Sequence, residues 1–220
     1  MESLVNQVTH GDCLELLAKL PPKAAAMILT DIPYNEVSRA SNGLRNLDKG
    51  AADPLTFDLT RFLEEIHRVC HGSHYVFCGQ LQISTIMAFY RNQGLSTRLC
   101  FWKKTNPSPM NGKRIWLSAI EACVFARNPK ATFNGHCLAP VWEYPSSRNK
   151  HHPTQKPLKL FKHLIEISSN PGDLILDPCA GGGTTAIAAI ETGRNYLCIE
   201  NDATYVEIAK QRIASLSPSA

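Results

Sequence analysis

Leu174-Ile175-Leu176-Asp177-Pro178-Cys179-Ala180-Gly181-Gly182-Gly183-Thr184-Thr185 is a short apolar run that breaks into an acidic, glycine-rich turn and then a helix-forming segment. It reads as a buried strand, a loop and the first turn of a helix. A second stretch has the same form: Ala26-Met27-Ile28-Leu29-Thr30 ends in Asp31-Ile32-Pro33-Tyr34. In open α/β sheets, ligands bind at the carboxyl ends of strands. The first turn suits a nucleotide-like ligand, because glycines let backbone approach closely and a helix start offers free N–H groups. The second sets a carboxylate beside an aromatic ring, which suits a flat amine. Together they point to group transfer onto the exocyclic amine of a base.

Outward from these turns, strands are expected at 26–30, 74–78, 97–103, 119–126, 174–176 and 196–199. Helices are expected at 14–20, 59–70, 82–92, 158–168, 184–192 and 204–213, from apolar spacing near 3.6. Gly72-Ser73 and Asn170-Pro171-Gly172-Asp173 read as turns, and 127–153 reads as irregular. Residues 35–54 form a long polar loop, of a kind that is usually functional. Alternation of strands and helices implies an α/β fold, a mainly parallel sheet with helices on both faces. A chain of 220 residues fits one domain. It divides into a catalytic half at about 8–104, a short recognition insert at about 106–153 and a cofactor-binding half at about 154–214.

The 44% apolar and 19% charged content is that of a soluble globular protein and excludes a disordered chain. No apolar run reaches the roughly 20 residues of a membrane span, and the first residues lack a signal peptide's basic and apolar regions. The expected location is the cytoplasm, in association with the nucleoid, with no membrane partner. The eight cysteines contain no CxxC pair. Cys78, Cys100, Cys123 and Cys198 sit in apolar runs as small buried hydrophobes would, so no disulfide framework is expected. His67, His71 and His74 lie near Cys70 and Cys78 but lack closed zinc spacing, and no metal is expected.

The net charge of +4 is unevenly spread. Between Arg91 and Lys162 the only acids are Glu121 and Glu143, whereas Glu166, Asp173, Asp177, Glu191, Glu200, Asp202 and Glu207 follow. A basic middle beside an acidic end suggests a phosphate-binding face on a cofactor-binding body. Glu200 follows the glycine loop by about one strand, a spacing suited to holding ribose hydroxyls. Asp177 is placed to pair with an ammonium. The loop is not a Walker A, and at this point a nicotinamide or flavin site fits as well.

The joint order of further motifs narrows the choice. They are Phe101-Trp102-Lys103-Lys104-Thr105-Asn106-Pro107, His152-Pro153-Thr154-Gln155-Lys156-Pro157, Gly172-Asp173, Gly193-Arg194-Asn195-Tyr196 and Tyr205. With Asp31-Ile32-Pro33-Tyr34 ahead of the glycine loop, the chain resembles the beta-type, permuted amino-methyltransferases of DNA. Those enzymes use S-adenosylmethionine to methylate adenine N6 or cytosine N4. The resemblance covers most of the chain and implies a Rossmann-like sheet of seven strands with one reversed.

By that resemblance Asp12 and Cys13 lie near the cofactor's adenine and Glu200 holds its ribose. Asp31, Asp177, Cys179, Gly181, Gly183, Thr184 and Thr185 line the methionine side, which Thr154, Gln155 and Lys156 help to close. Asp31 and the carbonyl of Ile32 would accept hydrogen bonds from the base amine, Pro33 would shape the turn, and Tyr34 would stack on the base. Double-stranded DNA is the implied partner. Its phosphates would meet Arg39, Arg45, Lys49, Lys103, Lys104, Lys113, Arg114, Arg148 and Lys150, and a homodimer would widen that surface. Two departures stand out. Ile32 replaces the family's first proline and loses its fixed φ while keeping the carbonyl, so retained activity with a looser site is expected; Cys179 replaces an aromatic residue. Aspartate at position 31 resembles the adenine enzymes, where the cytosine enzymes more often carry serine. The alternatives are cytosine-N4 methylation, a silent DNA-binding protein of the same fold, and methylation of a protein amide. The basic middle and the segment His152 to Pro157 disfavour the last.

Overall fold

Strand residues alternate between two cores. Met27 and Leu29 pack with Tyr75 and Phe77 on one side of the sheet, while Ile28 packs with Val76 and Cys78 on the other. This period of two is what a strand buried on both faces produces. The structure, a computed structural model, describes residues 4–34, 54–109, 112–147 and 155–216. Within them run β1 (Gln7–His10), α1 (Cys13–Ala18), β2 (Ala25–Asp31), α2 (Leu59–Val69), β3 (Cys70–Cys78), α3 (Ile83–Asn92), β4 (Ser96–Lys104) and β5 (Ile120–Arg127). They are followed by β6 (Val141–Tyr144), α4 (Leu158–Ser168), β7 (Leu174–Asp177), α5 (Thr184–Glu191), β8 (Asn195–Glu200) and α6 (Ala203–Ala214).

The described strands form one sheet of order β1-β8-β7-β2-β3-β5-β4-β6. All run in one direction except β5, which is antiparallel to both β3 and β4. Helices α4, α5 and α6 bury their apolar faces on one side, through Phe161, Ile165, Ala186 and Val206. Helices α1, α2 and α3 cover the other, through Leu17, Phe62, Ile66 and Ile86. The α/β class and the single reversed strand are as expected, and the sheet of eight strands among the described residues roughly fits the expected seven.

The two strands absent from the expected list, β1 and β6, are both four residues long and at the sheet's edges. Each exists because a longer neighbour templates it: Val8 pairs with Cys198, and Trp102 with Trp142. Gly72-Ser73 is not a turn but part of β3. A Cβ on Gly72 would stand 1.8 Å from the Ala26 carbonyl oxygen, so the glycine serves a close strand approach. The β2–β3 register shifts at that point, as a bulge requires.

Chain connections define the crevice. From β7 the chain passes through α5 to β8 on one side; from β2 it passes through α2 to β3 on the other. Between β7 and β2 the order reverses, and such a switch point opens a cleft at the strands' carboxyl ends.

Gly183 caps α5 in the left-handed region at φ 77°, and a Cβ there would meet the Ala209 Cβ of α6 at 2.7 Å. Gly193 has φ 72° but open space around it. Gly193→Ala should therefore cost only the left-handed penalty, about 1–2 kcal/mol. Gly183→Ala should cost that plus helix displacement, roughly 3 kcal/mol in all. Urea unfolding midpoints of the two variants would measure the difference.

Candidate active site

Register sets three acids side by side at the switch point. Asp177 is level with Cys198 of β8, and Leu176 is level with Ile28 of β2. Glu200 and Asp31 therefore each lie two residues beyond the level of Asp177, on the strands that flank it. Strands are about 4.8 Å apart and rise about 3.3 Å per residue, so Asp177 forms a floor with a carboxylate at either side above it. All three line one cavity of about 650 Å³.

Asp177 is 2% exposed. It accepts hydrogen bonds from the Thr185 hydroxyl and, at 3.1 Å, from the Cys179 N–H. Burial dominates and pushes its carboxyl up to about 7, so the floor is a carboxylate in want of a cation. Glu200 accepts from Gly181 N–H at 2.7 Å and Asp202 N–H at 2.9 Å. One lone pair on each oxygen is thus fixed by backbone and the others can meet hydroxyls. The loop between these acids is pinned by Ala180 N–H to the Ile199 carbonyl and by the Arg212 guanidinium to the Gly182 carbonyl.

At the other end Asp31 belongs to a neutral cluster of four charges. Lys156, 3% exposed, places Nζ 2.5 Å from Asp31 Oδ2 and 3.0 Å from Glu121 Oε2. Lys104 Nζ lies 2.7 Å from Glu121 Oε1. The Tyr34 hydroxyl reaches Asp31 Oδ1 at 2.9 Å and Glu121 Oε2 at 3.0 Å. The Lys156 ammonium also sits 5.2 Å from the Tyr34 ring centre and 5.4 Å from that of Phe77, a cation–π arrangement. Burial pushes Asp31 up, and Lys156 opposes it. Burial also acts against Glu121, but Lys156 and Lys104 outweigh it and hold the carboxyl at about 2.

Ile32 does more than keep a carbonyl in place. Its N–H donates to the Phe77 carbonyl at 3.2 Å, extending the β2–β3 ladder by a bond that proline lacks the hydrogen to make. Its side chain is 1% exposed, in the core beneath α1 and α2. The turn is thus laddered to β3. Gln82 then fixes the next carbonyl, donating to Pro33 at 2.9 Å.

Asp12, Cys13, Asp31, Ile32, Pro33, Tyr34, Gln155, Lys156, Asp177, Cys179, Gly181, Thr184 and Glu200 all line the cavity. Asp12 also caps α1. Gly183 and Thr185 do not line it: the first packs on α6 and the second supports Asp177 from behind. Lys156, expected at the methionine pocket, has its ammonium between the two carboxylates of the Asp31 cluster. Lys104, expected on phosphate, is turned inward to Glu121, because a buried carboxylate attracts it more than solvent does. Lys103 forms an exposed pair with Glu143 at 2.8 Å, which is worth about 0–1 kcal/mol and leaves the lysine at the surface. Lys113 and Arg114 are exposed on the β4–β5 connection. Thr154, Arg39, Arg45, Lys49, Arg148 and Lys150 lie outside the described residues. Glu121 and Gln82 were not anticipated. The one signal for Glu121 was its isolation, as one of two acids in the basic middle.

The chain has matches among known proteins. The DNA methylase family model (N6_N4_Mtase) matches residues 126–211. The chain is 30% identical to the DNA adenine methyltransferase YhdJ of Escherichia coli K12, over 94% of this chain and 82% of that one. Among solved structures, the complex of M1.HpyAVI with SAM superposes with a TM-score of 0.73 at 28% identity, covering 94% and 98% of the two chains. The cytosine-N4-specific PvuII DNA methyltransferase reaches a TM-score of 0.72 at 17% identity, covering 94% and 87%, a likeness of fold alone. This chain belongs to the DNA methylase family.

Proposed function

We propose that the protein transfers a methyl group from S-adenosylmethionine to N6 of an adenine flipped out of duplex DNA. The observation that carries this reading is the placement of Asp31 across one cavity from Glu200, with Asp177 on the floor between them. The cavity's own residues fit the cofactor. Asp177 is a buried carboxylate suited to its ammonium, the Glu200 oxygens suit ribose hydroxyls, and the loop at Gly181 leaves room for its chain. Bound there, S-adenosylmethionine supplies an electrophilic methyl carbon.

A base amine is a weak nucleophile because its lone pair is delocalised into the ring. Hydrogen bonds from the amine to Asp31 and to the Ile32 carbonyl draw that lone pair out of the plane toward the methyl carbon. The nitrogen–carbon bond forms as the sulfur–carbon bond breaks, and the nitrogen's surplus proton passes to Asp31. Positioning carries much of the rate in such a transfer, and Tyr34 supplies the ring on which the flipped base rests. Removing Asp31 should therefore cost the reaction and leave cofactor binding in place.

The DNA face is read from the β4–β5 connection, which leaves the sheet at the edge that carries Asp31. It exposes Lys113, Arg114 and Trp116, the last 96% exposed. The same reading puts the enzyme at DNA in the cytoplasm, and a homodimer would lay two such faces along one duplex. Among the described residues no helix is long and apolar enough to cross a membrane.

Three outcomes are expected. Methyl-labelled cofactor with unmethylated genomic DNA should yield labelled N6-methyladenine on nucleoside chromatography, with Asp31→Ala reduced about 100-fold or more; N4-methylcytosine would instead reassign the base. Because Asp177 must ionise to hold an ammonium, cofactor affinity should fall as pH drops below about 7, by up to about tenfold per unit. Calorimetry should find proton release on binding in that range, and Asp177→Asn should bind more weakly with a flat profile. Finally, Lys113→Ala with Arg114→Ala should reduce the slope of log affinity for DNA against log salt by about 2, with turnover at saturating DNA retained.

A further inference from the structure

We propose that Glu121 is a positioning residue for methyl transfer: it takes the Tyr34 hydroxyl and the Lys156 ammonium from Asp31 when the base amine arrives. The inference rests on the amine-methylation reading and adds a residue to it. Both oxygens of Asp31 are engaged in the structure, Oδ1 by Tyr34 at 2.9 Å and Oδ2 by Lys156 at 2.5 Å. Each oxygen keeps a second lone pair, but an N–H accepted there would share its oxygen with Tyr34 or Lys156 and be held more weakly than by an oxygen freed of them. A phenol has a single proton to donate, yet the Tyr34 hydroxyl stands 3.0 Å from Glu121 Oε2 as well. Lys156 Nζ is also 3.0 Å from that same oxygen. Each donor can thus turn from Asp31 to Glu121 without leaving hydrogen-bond distance. Asp31 is released to the amine, and no buried donor is left unpaired, which would cost far more than an exchange of partners.

Two features make Glu121 fit for this. Lys104 anchors its other oxygen at 2.7 Å, so the carboxylate cannot swing away, and the Tyr34 ring stays tethered while its hydroxyl changes partner. The second feature is topological. Glu121 is the second residue of β5, the one strand that runs backward. The start of a reversed strand lies at the edge where its parallel neighbours end, so the reversal delivers a carboxylate to the catalytic edge. The charged groups facing Asp31 are Lys156, Glu121 and, one strand away, Asp177, with Lys104 acting through Glu121. The Glu121 charge raises Asp31 and the Lys156 charge lowers it.

The test is single-turnover methyl transfer to DNA by wild type, Glu121→Gln and Glu121→Asp over the pH range in which carboxylates titrate, with cofactor affinity measured alongside. The expected result for Glu121→Gln is a rate lower by at least about tenfold with cofactor affinity within twofold of wild type. Its acid limb should move to lower pH, because Asp31 loses a negative neighbour and keeps Lys156. Glu121→Asp, which keeps the charge, should recover part of the rate and leave the limb in place. A Glu121→Gln enzyme with wild-type rate and an unmoved acid limb would overturn the proposal. If Glu121→Gln does not bind cofactor, Lys104→Gln decides: a slower rate with intact cofactor affinity supports the anchored acceptor, and an unchanged rate refutes it. Wild type is the control for the reading beneath: without methyl transfer by wild type both fall, whereas an active wild type beside an unaffected variant removes only Glu121.

Discussion

A lysine ammonium sealed from water needs carboxylates around it, and Lys156 has two. Stripping one partner from such a buried pair costs about 3–5 kcal/mol, so this contact holds more than two side chains together. Asp31 ends β2, Glu121 is the second residue of β5, and Lys156 stands two residues before α4. Three segments far apart in sequence are tied at one point, and the Asp31 end of the cavity depends on that tie. The cluster of Asp31, Glu121, Lys156 and Lys104 is neutral as a whole, which is how four charges persist in so small a volume.

The end of the cavity at Asp177 and Glu200 works by a different principle. Asp177 has no cation paired with it among the described residues, and burial pushes its carboxyl up to about 7. Glu200 is held instead by backbone N–H groups, whose bonds partly offset its burial. Both acids accept hydrogen bonds from the loop, but burial weighs most on Asp177.

The two departures from the family pattern have local physical explanations or consequences. Ile32 exchanges proline's fixed φ for a ladder bond to Phe77 and a buried side chain. The turn is therefore held from the sheet and from the core rather than by a ring. Cys179 lies at the cavity beside Cys13, whose thiol contact acts with burial to push the Cys179 thiol up. A smaller side chain there leaves more of the cavity's width to the ligand.

Long elements and the two loops were legible in the sequence, because burial on both faces of β2, β7 and β8 leaves continuous apolar runs, and α2 and α4 repeat at 3.6. β1 and β6 were not legible, because four-residue edge strands take their conformation from a neighbour's hydrogen bonds and carry little pattern of their own. Gly72 was misread for a related reason: a glycine that makes room for the Ala26 carbonyl looks, in one dimension, like a glycine that makes a turn. The sequence by itself determined the class of fold and the order of its motifs, and it singled out Asp31, Asp177 and Glu200, which line one cavity, since strand-end turns announce themselves locally. Only the tertiary structure decided which charges meet. It turned Lys104 inward, set Lys156 against Asp31 and brought Glu121 to the same point, because ion pairing between residues up to 125 positions apart depends on strand order and direction, which no local pattern records.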